Sequence, residues 1–260
     1  MNNTDKITIE AVRIVREEGI LPLVRRVPRA VYARTIPLEH RLLIRVQLQR
    51  IQGYTALNDP LEAVYVDPEQ IEYRSESRFL PEEHNLGRIV DGNWDKQRTR
   101  LEQTITYRGL YDRFVAGSSW EETAYYEHAK NTIETEGEYL GYKCVEEFLE
   151  SRCTYVDDLY ESLRENGYQS IGDAKPVDPR RPWSSRDPTE ISVVIGRNGE
   201  MLLHDGHHRL ILAQILDFDE IPVHVLVRHE KWQQQREALA SGIGTEPVDT
   251  CHPDIKRLFD

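Results

Sequence analysis

The densest chemistry in the chain is the run HDGHHR, His204 to Arg209. It ends the extended apolar stretch EMLLHD (200–205) and opens GHHRLILAQILDF (206–218), where Leu210, Ile211, Ile215 and Leu216 repeat at helical spacing. A strand that ends where a helix begins brings backbone N–H groups and the positive helix end to one point, a place to hold phosphate. Gly206 lets a ligand approach the backbone closely. Asp205 is placed to cap the helix. His207, His208 and Arg209 supply side-chain donors for an anion. The structural alternative assigns Asp205 to capping only, Gly206 to the turn and Arg209 to an ion pair.

Other residues carry chemistry at lower density. Arg74 and Arg78 follow the first extended piece and could reach phosphate or form surface ion pairs. Trp94 and Asp95, in Gly92–Asp95 (GNWD), fit either a pocket lining or a loop anchor. His204, His207, His208, His224 and His229 raise the question of a metal, but adjacent His207 and His208 diverge around a helix. Tyr125, Tyr126 and His128 read as helical packing. Cys144 and Cys153 read as buried free thiols, and with Cys251 they are too few and too oddly spaced for a disulfide framework.

Two hairpin strands and a helix must position the turn. EISVVIG (190–196) reads as a strand, RNG (197–199) as its turn and EMLLHD as its partner. IPVHVLVRH (221–229) reads as a buried strand, followed by a helix (KWQQQREALASG) and a tail. Upstream, LEAVYVDPEQIEYR reads as a short strand, a turn and a second extended piece. Residues 75–95 read as loop, 96–152 as helical, and the proline-rich 172–189 as loop. Helices are expected to stop at Gly117, Gly137 and Gly167.

Composition bounds the rest. The 260 residues carry 45 Asp and Glu against 33 Lys and Arg, a net charge of −12. Arg outnumbers Lys, 26 to 7. An acidic surface poor in Lys suggests a halophilic source; a GC-rich genome would also favour Arg. The bulk charge argues against non-specific nucleic-acid binding, and no apolar run reaches the roughly 18 residues of a membrane span. With a charged start and few cysteines, a cytoplasmic protein is expected. Residues 1–51 nevertheless hold ten basic and five acidic residues. Arg25, Arg26, Arg29, Arg34, Arg41, Arg45 and Arg50 alternate there with apolar residues. This arm either packs on the acidic body or uses residues 10–50 to touch a membrane surface or an acidic protein.

The string VVIGRNGEMLLHDGHHRLILAQILDFDEIPVHVLV (193–227) resembles the core of the ParB/sulfiredoxin superfamily. AVYVDPEQIEYR (63–74) is similar to that fold's first strand and turn, and VDDLYESLRENGYQSI (156–171) to the helix before its hairpin. The whole chain is similar to haloarchaeal proteins with a G-x-W-D segment and a ParB-like core. The resemblance implies an α/β (α+β) fold: a small mixed sheet, a helical insertion at about 75–155 within a 52–232 domain, and a C-terminal helix and tail at 233–260. Partition proteins of the superfamily bind CTP at this turn and carry a helix-turn-helix domain after it, for which the residues after His229 leave no room, so sequence-specific DNA binding is not expected. Sulfiredoxins place a Cys where this chain has His207. The closest turn is that of the free-serine kinases, D-G-H-H-R, as at Asp205 to Arg209.

That resemblance implies ATP, ADP or CTP with Mg²⁺ held by Gly206, His207, His208 and Arg209, with Asp205 toward the metal. Glu76, Asp205 and His208 form the catalytic set, with Glu76 as base and Glu72 as its alternative register. The expected activity is a nucleotide-dependent phosphotransferase acting on a small hydroxylated substrate. The alternatives are a non-enzymatic nucleotide switch and a scaffold that works through the N-terminal arm.

Overall fold

The computed structural model describes residues 38–77, 86–168, 191–242 and 249–259. Four of the basic-arm arginines (Arg25, Arg26, Arg29 and Arg34), Arg78 and the 172–189 stretch lie outside them.

A mixed sheet is the frame. Its strands are β1 (Val64–Val66), β2 (Tyr73–Ser75), β3 (Arg88–Val90), β4 (Arg98–Arg100), β5 (Ser192–Ile195), β6 (Met201–Asp205) and β7 (Ile221–His229). Among the described residues the order is β1-β7-β5-β6-β2-β4, with β3 also on β7. β5 and β6 form the expected antiparallel hairpin, and β5 lies parallel to β7. β2 lies parallel to β6, pairing Tyr73 with Leu202 and Arg74 with Leu203. The fold is therefore α/β with a mixed sheet.

Side-chain alternation divides the core. Val193, Ile195, Leu203, Val223 and Val225 face one cluster, while Val194, Leu202 and Leu226 face another. The second face takes Leu42 of α1 (Leu38–Ile51). Arg41 of α1 is buried, the Arg45 guanidinium donates to the Leu86 carbonyl, and Gln49 donates to the Gly87 carbonyl at 2.8 Å. This end of the basic arm thus packs on the body. Among the described residues no helix is long and apolar enough to cross a membrane.

The stretch 75–152 differs from its sequence reading in two places. The 75–95 segment contains β3, and the expected helical run from 96 begins with β4. Three-residue strands carry too little periodicity to be recognised; pairing with β7 and β2 makes them. Helices then follow: α2 (Ile105–Phe114), α3 (Ala124–Glu136), and a π segment (Phe148–Cys153) running into α4 (Thr154–Asn166). Gly137 in the left-handed region ends α3, and Gly167 caps α4. At Gly109 a Cβ would stand 2.2 Å from the Tyr125 Cβ, so only glycine lets α2 and α3 pack this closely. Cys153 is buried, and burial pushes its thiol up to about 12. Cys144 is exposed rather than buried, and its Sγ accepts from the Glu147 N–H at the start of this helix.

Helix α5 (His207–Ile215) joins the two halves. Leu210 and Ala213 pack into the sheet cluster, while Ile211 and Leu212 pack into the helical-layer cluster. All four are fully buried, and a leucine or isoleucine so placed contributes about 1.5–3 kcal/mol. Gln214 donates to the Pro68 and Ile71 carbonyls at 2.9 and 3.3 Å, tying α5 to the turn after β1.

The C-terminal segment is held by a buried charge cluster. Asp254, in the short helix α7 (Pro253–Lys256), is fully buried and accepts from Arg228 of β7 and from Trp232 Nε1 at 2.9 Å. Arg236 stands 3.2 Å from the same carboxylate; both it and Trp232 belong to α6 (Glu230–Ala240). Burial opposes ionisation of Asp254, but the two guanidiniums and the Trp232 bond prevail and hold its carboxyl well below the usual range. Burial, with the Arg228 charge, brings Arg236 down to about 10. His252 uses both ring nitrogens in its neutral form: Nε2–H donates to the Gly199 carbonyl at 2.9 Å, and Nδ1 accepts from the Asp254 N–H. Burial lowers the pKa of His252, His204 and His224.

Two outcomes follow for stability. Asp254→Asn leaves two buried cations short of a counter-charge and costs about 3–5 kcal/mol by denaturant titration. The buried neutral histidines bind protons only on unfolding, so stability falls as pH drops below about 6.5, the ordinary imidazole value. Asp254 has a depressed folded pKa, so its contribution is present above about pH 4 and is lost below it. Unfolding curves across pH 8 to about 2 should show both losses, that of Asp254 growing progressively below about pH 4; a flat profile contradicts them.

Candidate functional site

The turn after β6 is made by one residue. β6 ends at Asp205, Gly206 takes φ 88° and ψ 27°, and α5 begins at His207. A left-handed backbone suits glycine, and it reverses the chain with no side chain in the way. The expected cap is thereby corrected: Gly206, not Asp205, is the N-cap residue. Asp205 Oδ1 instead accepts from the Gly206 N–H at 2.8 Å. The carboxylate thereby ties the turn to the end of β6. The first intrahelical bond runs from Leu210 N–H to the Gly206 carbonyl. The N–H groups of His207, His208 and Arg209 therefore lie in the first turn, where no intrahelical acceptor exists.

The three side chains of this turn lie in different surroundings. Arg209 is buried. The His207 side chain is 24% exposed, with its Nδ1 3.8 Å from Asp205 Oδ1. Its Nε2 is buried and has no hydrogen-bond partner among the described residues. His208 points to the helical layer: its Nδ1 lies 3.2 Å from Arg152 Nη2, and its ring meets Tyr125 edge-on at 5.7 Å. His204 is buried one step back on β6, where Asp205 and His207 act on its charge.

Glu76 comes to the same edge. Continuing the parallel β2–β6 register by two residues sets Glu76 beside Asp205. Its carboxylate accepts from Arg74 Nη2 at 3.0 Å, and its backbone N–H donates to the Gln97 carbonyl at 2.8 Å. Burial raises the Glu76 pKa, but Arg74, Thr99 and the nearby His207 outweigh it and leave the group lowered. The electrostatic reach of His207 supports a place for Glu76 near the turn. Glu72, the alternative register, pairs with Arg100 at 3.5 Å and is well exposed.

Other sequence candidates lie elsewhere. Asp95 is buried and accepts from Arg197 Nε and Nη2, both at 2.7 Å, in the β5–β6 hairpin turn. The Arg197 bonds, against burial, bring Asp95 down to about 2. Trp94 Nε1 donates to the Val90 carbonyl, and its ring sits 5.6 Å from that of His229. GNWD is thus an anchor for the far end of the hairpin. His229 is fully buried and bonds the Gly92 carbonyl, and His224 bonds the Leu61 carbonyl at 3.0 Å. Tyr125 packs as expected but also touches the site. Arg152 was not singled out by the sequence; its only mark is a lone Arg in an amphipathic helix.

Among the described residues, no group of three or more His, Cys, Asp or Glu side chains could hold a metal ion. Mg²⁺ asks less of a protein, one or two carboxylates with phosphate oxygens completing the shell. Asp205, whose side chain is 42% exposed at the turn, fits that demand.

The geometry of Gly206 yields a direct test. Gly206→Ala places a Cβ on a left-handed residue and costs about 1–2 kcal/mol, while Gly206→Asn, which tolerates that region, costs less. Thermal or denaturant unfolding of the two variants reads the difference; equal stability to wild type in both would contradict the turn. No family model, no curated protein and no solved structure matches this chain.

Proposed function

We propose that the chain is a nucleotide-dependent phosphotransferase of ParB/sulfiredoxin type, with its phosphates at the Asp205–Arg209 turn and a small hydroxylated molecule as acceptor. The observation that carries the proposal is the meeting of a strand-to-helix turn with a carboxylate. The start of α5 follows directly on the end of β6, and Glu76 follows the end of the adjacent parallel strand. A nine-residue helix held on both sides by core clusters keeps those N–H groups in place.

In this reading the amides of His207 to Arg209 bind the phosphates of ATP, ADP or CTP, and Arg209 balances charge at the helix start. Asp205 is the residue that would hold Mg²⁺ against phosphate oxygens, where the ion would neutralise developing charge. Glu76, ionised at neutral pH because Arg74 and His207 lower its pKa, orients the acceptor hydroxyl and takes its proton. A weak base suffices, because phosphoryl transfer depends on positioning and charge stabilisation more than on deprotonation. His207 Nε2, buried without a described partner, is a further polar group for ligand at this edge.

Calorimetry with ATP, ADP and CTP in Mg²⁺ tests the binding half. Wild type binds at least one of them, and Arg209→Met binds about 10–100-fold more weakly, the loss of one charged hydrogen bond. Glu76→Gln keeps nucleotide affinity and loses about 10²–10⁴-fold in phosphoryl transfer to hydroxylated acceptors. Binding without turnover in wild type would favour a nucleotide switch; no binding of any nucleotide would sink both readings.

A further inference from the structure

We infer that Arg152 is a positioning residue for the Asp205–Arg209 turn, fixing the His208 ring as the neutral tautomer that carries its proton on Nε2. The tautomer follows from geometry and chemistry alone; its consequence for ligand binding rests on the anion-site reading above.

Arg152 lies within the π segment Phe148–Cys153. A π turn holds an extra residue and shifts side chains out of register with the flanking α-helix, and such turns gather at functional sites. Among the described residues the guanidinium meets three partners. Its Nη2 lies 3.2 Å from His208 Nδ1, its Nε donates to the Tyr125 hydroxyl at 3.4 Å, and its Cζ stands over the Tyr155 ring at 5.3 Å. The helical layer thus reaches the first turn of α5 through Arg152 as well as through the Tyr125 ring.

The chemistry of the two groups then fixes the proton. A guanidinium has five N–H donors, no acceptor, and does not lose its proton in a protein. The Nδ1 atom opposite it must therefore present a lone pair. A neutral imidazole carries one proton, so that proton is on Nε2. An imidazolium would set N–H against N–H and bring two cations into contact. The positive charge beside His208 is consequently that of Arg152, and His208 is an oriented neutral ring. This reassigns the role expected for His208: it is neither a cation for phosphate nor a proton-exchanging group at Nδ1. Arg152 also braces the turn from the side opposite the sheet, since the same guanidinium bonds Tyr125 of α3.

The test uses the full chain, ¹⁵N-labelled at histidine, at neutral pH. Long-range ¹H–¹⁵N correlation spectra report which ring nitrogen is protonated, and the signal missing in His208→Gln assigns the ring. The expected wild-type spectrum shows Nδ1 unprotonated and Nε2 protonated. In Arg152→Met, folded by circular dichroism, that pattern is lost to a tautomer mixture or an imidazolium. A wild-type ring protonated at Nδ1, or an unchanged pattern in folded Arg152→Met, overturns the inference; should the variant not fold, the wild-type spectrum decides. MgATP titration separates the functional part. Binding about tenfold weaker in Arg152→Met, one hydrogen bond's worth, supports positioning. Equal affinity overturns it. Failure of wild type to bind MgATP, with the tautomer as stated, removes the anion-site reading and leaves the tautomer assignment standing.

Discussion

The structure depends on a single reversal of the chain at Gly206. β6 is buried through Leu203, leaves the sheet at Asp205, and within one left-handed residue becomes a helix that runs back over that sheet. Because the connection has no slack, the position of β6 dictates the position of the helix start. Asp205 reinforces the reversal by bonding the Gly206 amide, so the acidic side chain acts on the turn as well as beside it.

Helix α5 then carries the organisation of the molecule. One side of it fills the sheet core with Leu210 and Ala213, and the other fills the helical layer with Ile211 and Leu212. Two cores meet on one short helix, so its start moves only if one of them opens. Around that start the structure gathers charge from three directions. Glu76 and Arg74 come from the neighbouring strand, Arg152 from the π segment, and Asp205, His207 and Arg209 from the turn itself. The chain's negative charge as a whole says nothing of this local balance, in which basic and neutral donor groups surround one carboxylate pair.

Much of this was legible in the sequence, for physical reasons that differ by element. The β5–β6 hairpin announces itself through alternating apolar residues around RNG, and Gly199 does take a positive φ of 93°. β7 is an apolar run bounded by Pro222 and a polar helix. HDGHHR was conspicuous because a glycine between a strand and an amphipathic helix restricts the geometry to few choices. The cap was misplaced by one residue because Asp and Gly both suit that position, and only the backbone angle decides. β3 and β4 were illegible because RIV and RTR gain strand character from partners elsewhere in the chain. Arg152 was hidden for another reason. A π segment shifts its side chains, so helical spacing points it the wrong way. The Asp254 cluster joins groups on β7, α6 and the tail that share no local pattern.

The central claim is that phosphate binds the amides at the start of α5. The most direct measurement is a backbone ¹H–¹⁵N spectrum of the full chain during titration with MgATP, with inorganic pyrophosphate as a second probe. Phosphate at this turn should give saturable shifts centred on the amides of Gly206, His207, His208 and Arg209 with both probes, with smaller effects at Glu76. Nucleotide binding that leaves those four amides unmoved, with shifts centred on another part of the fold, would contradict it.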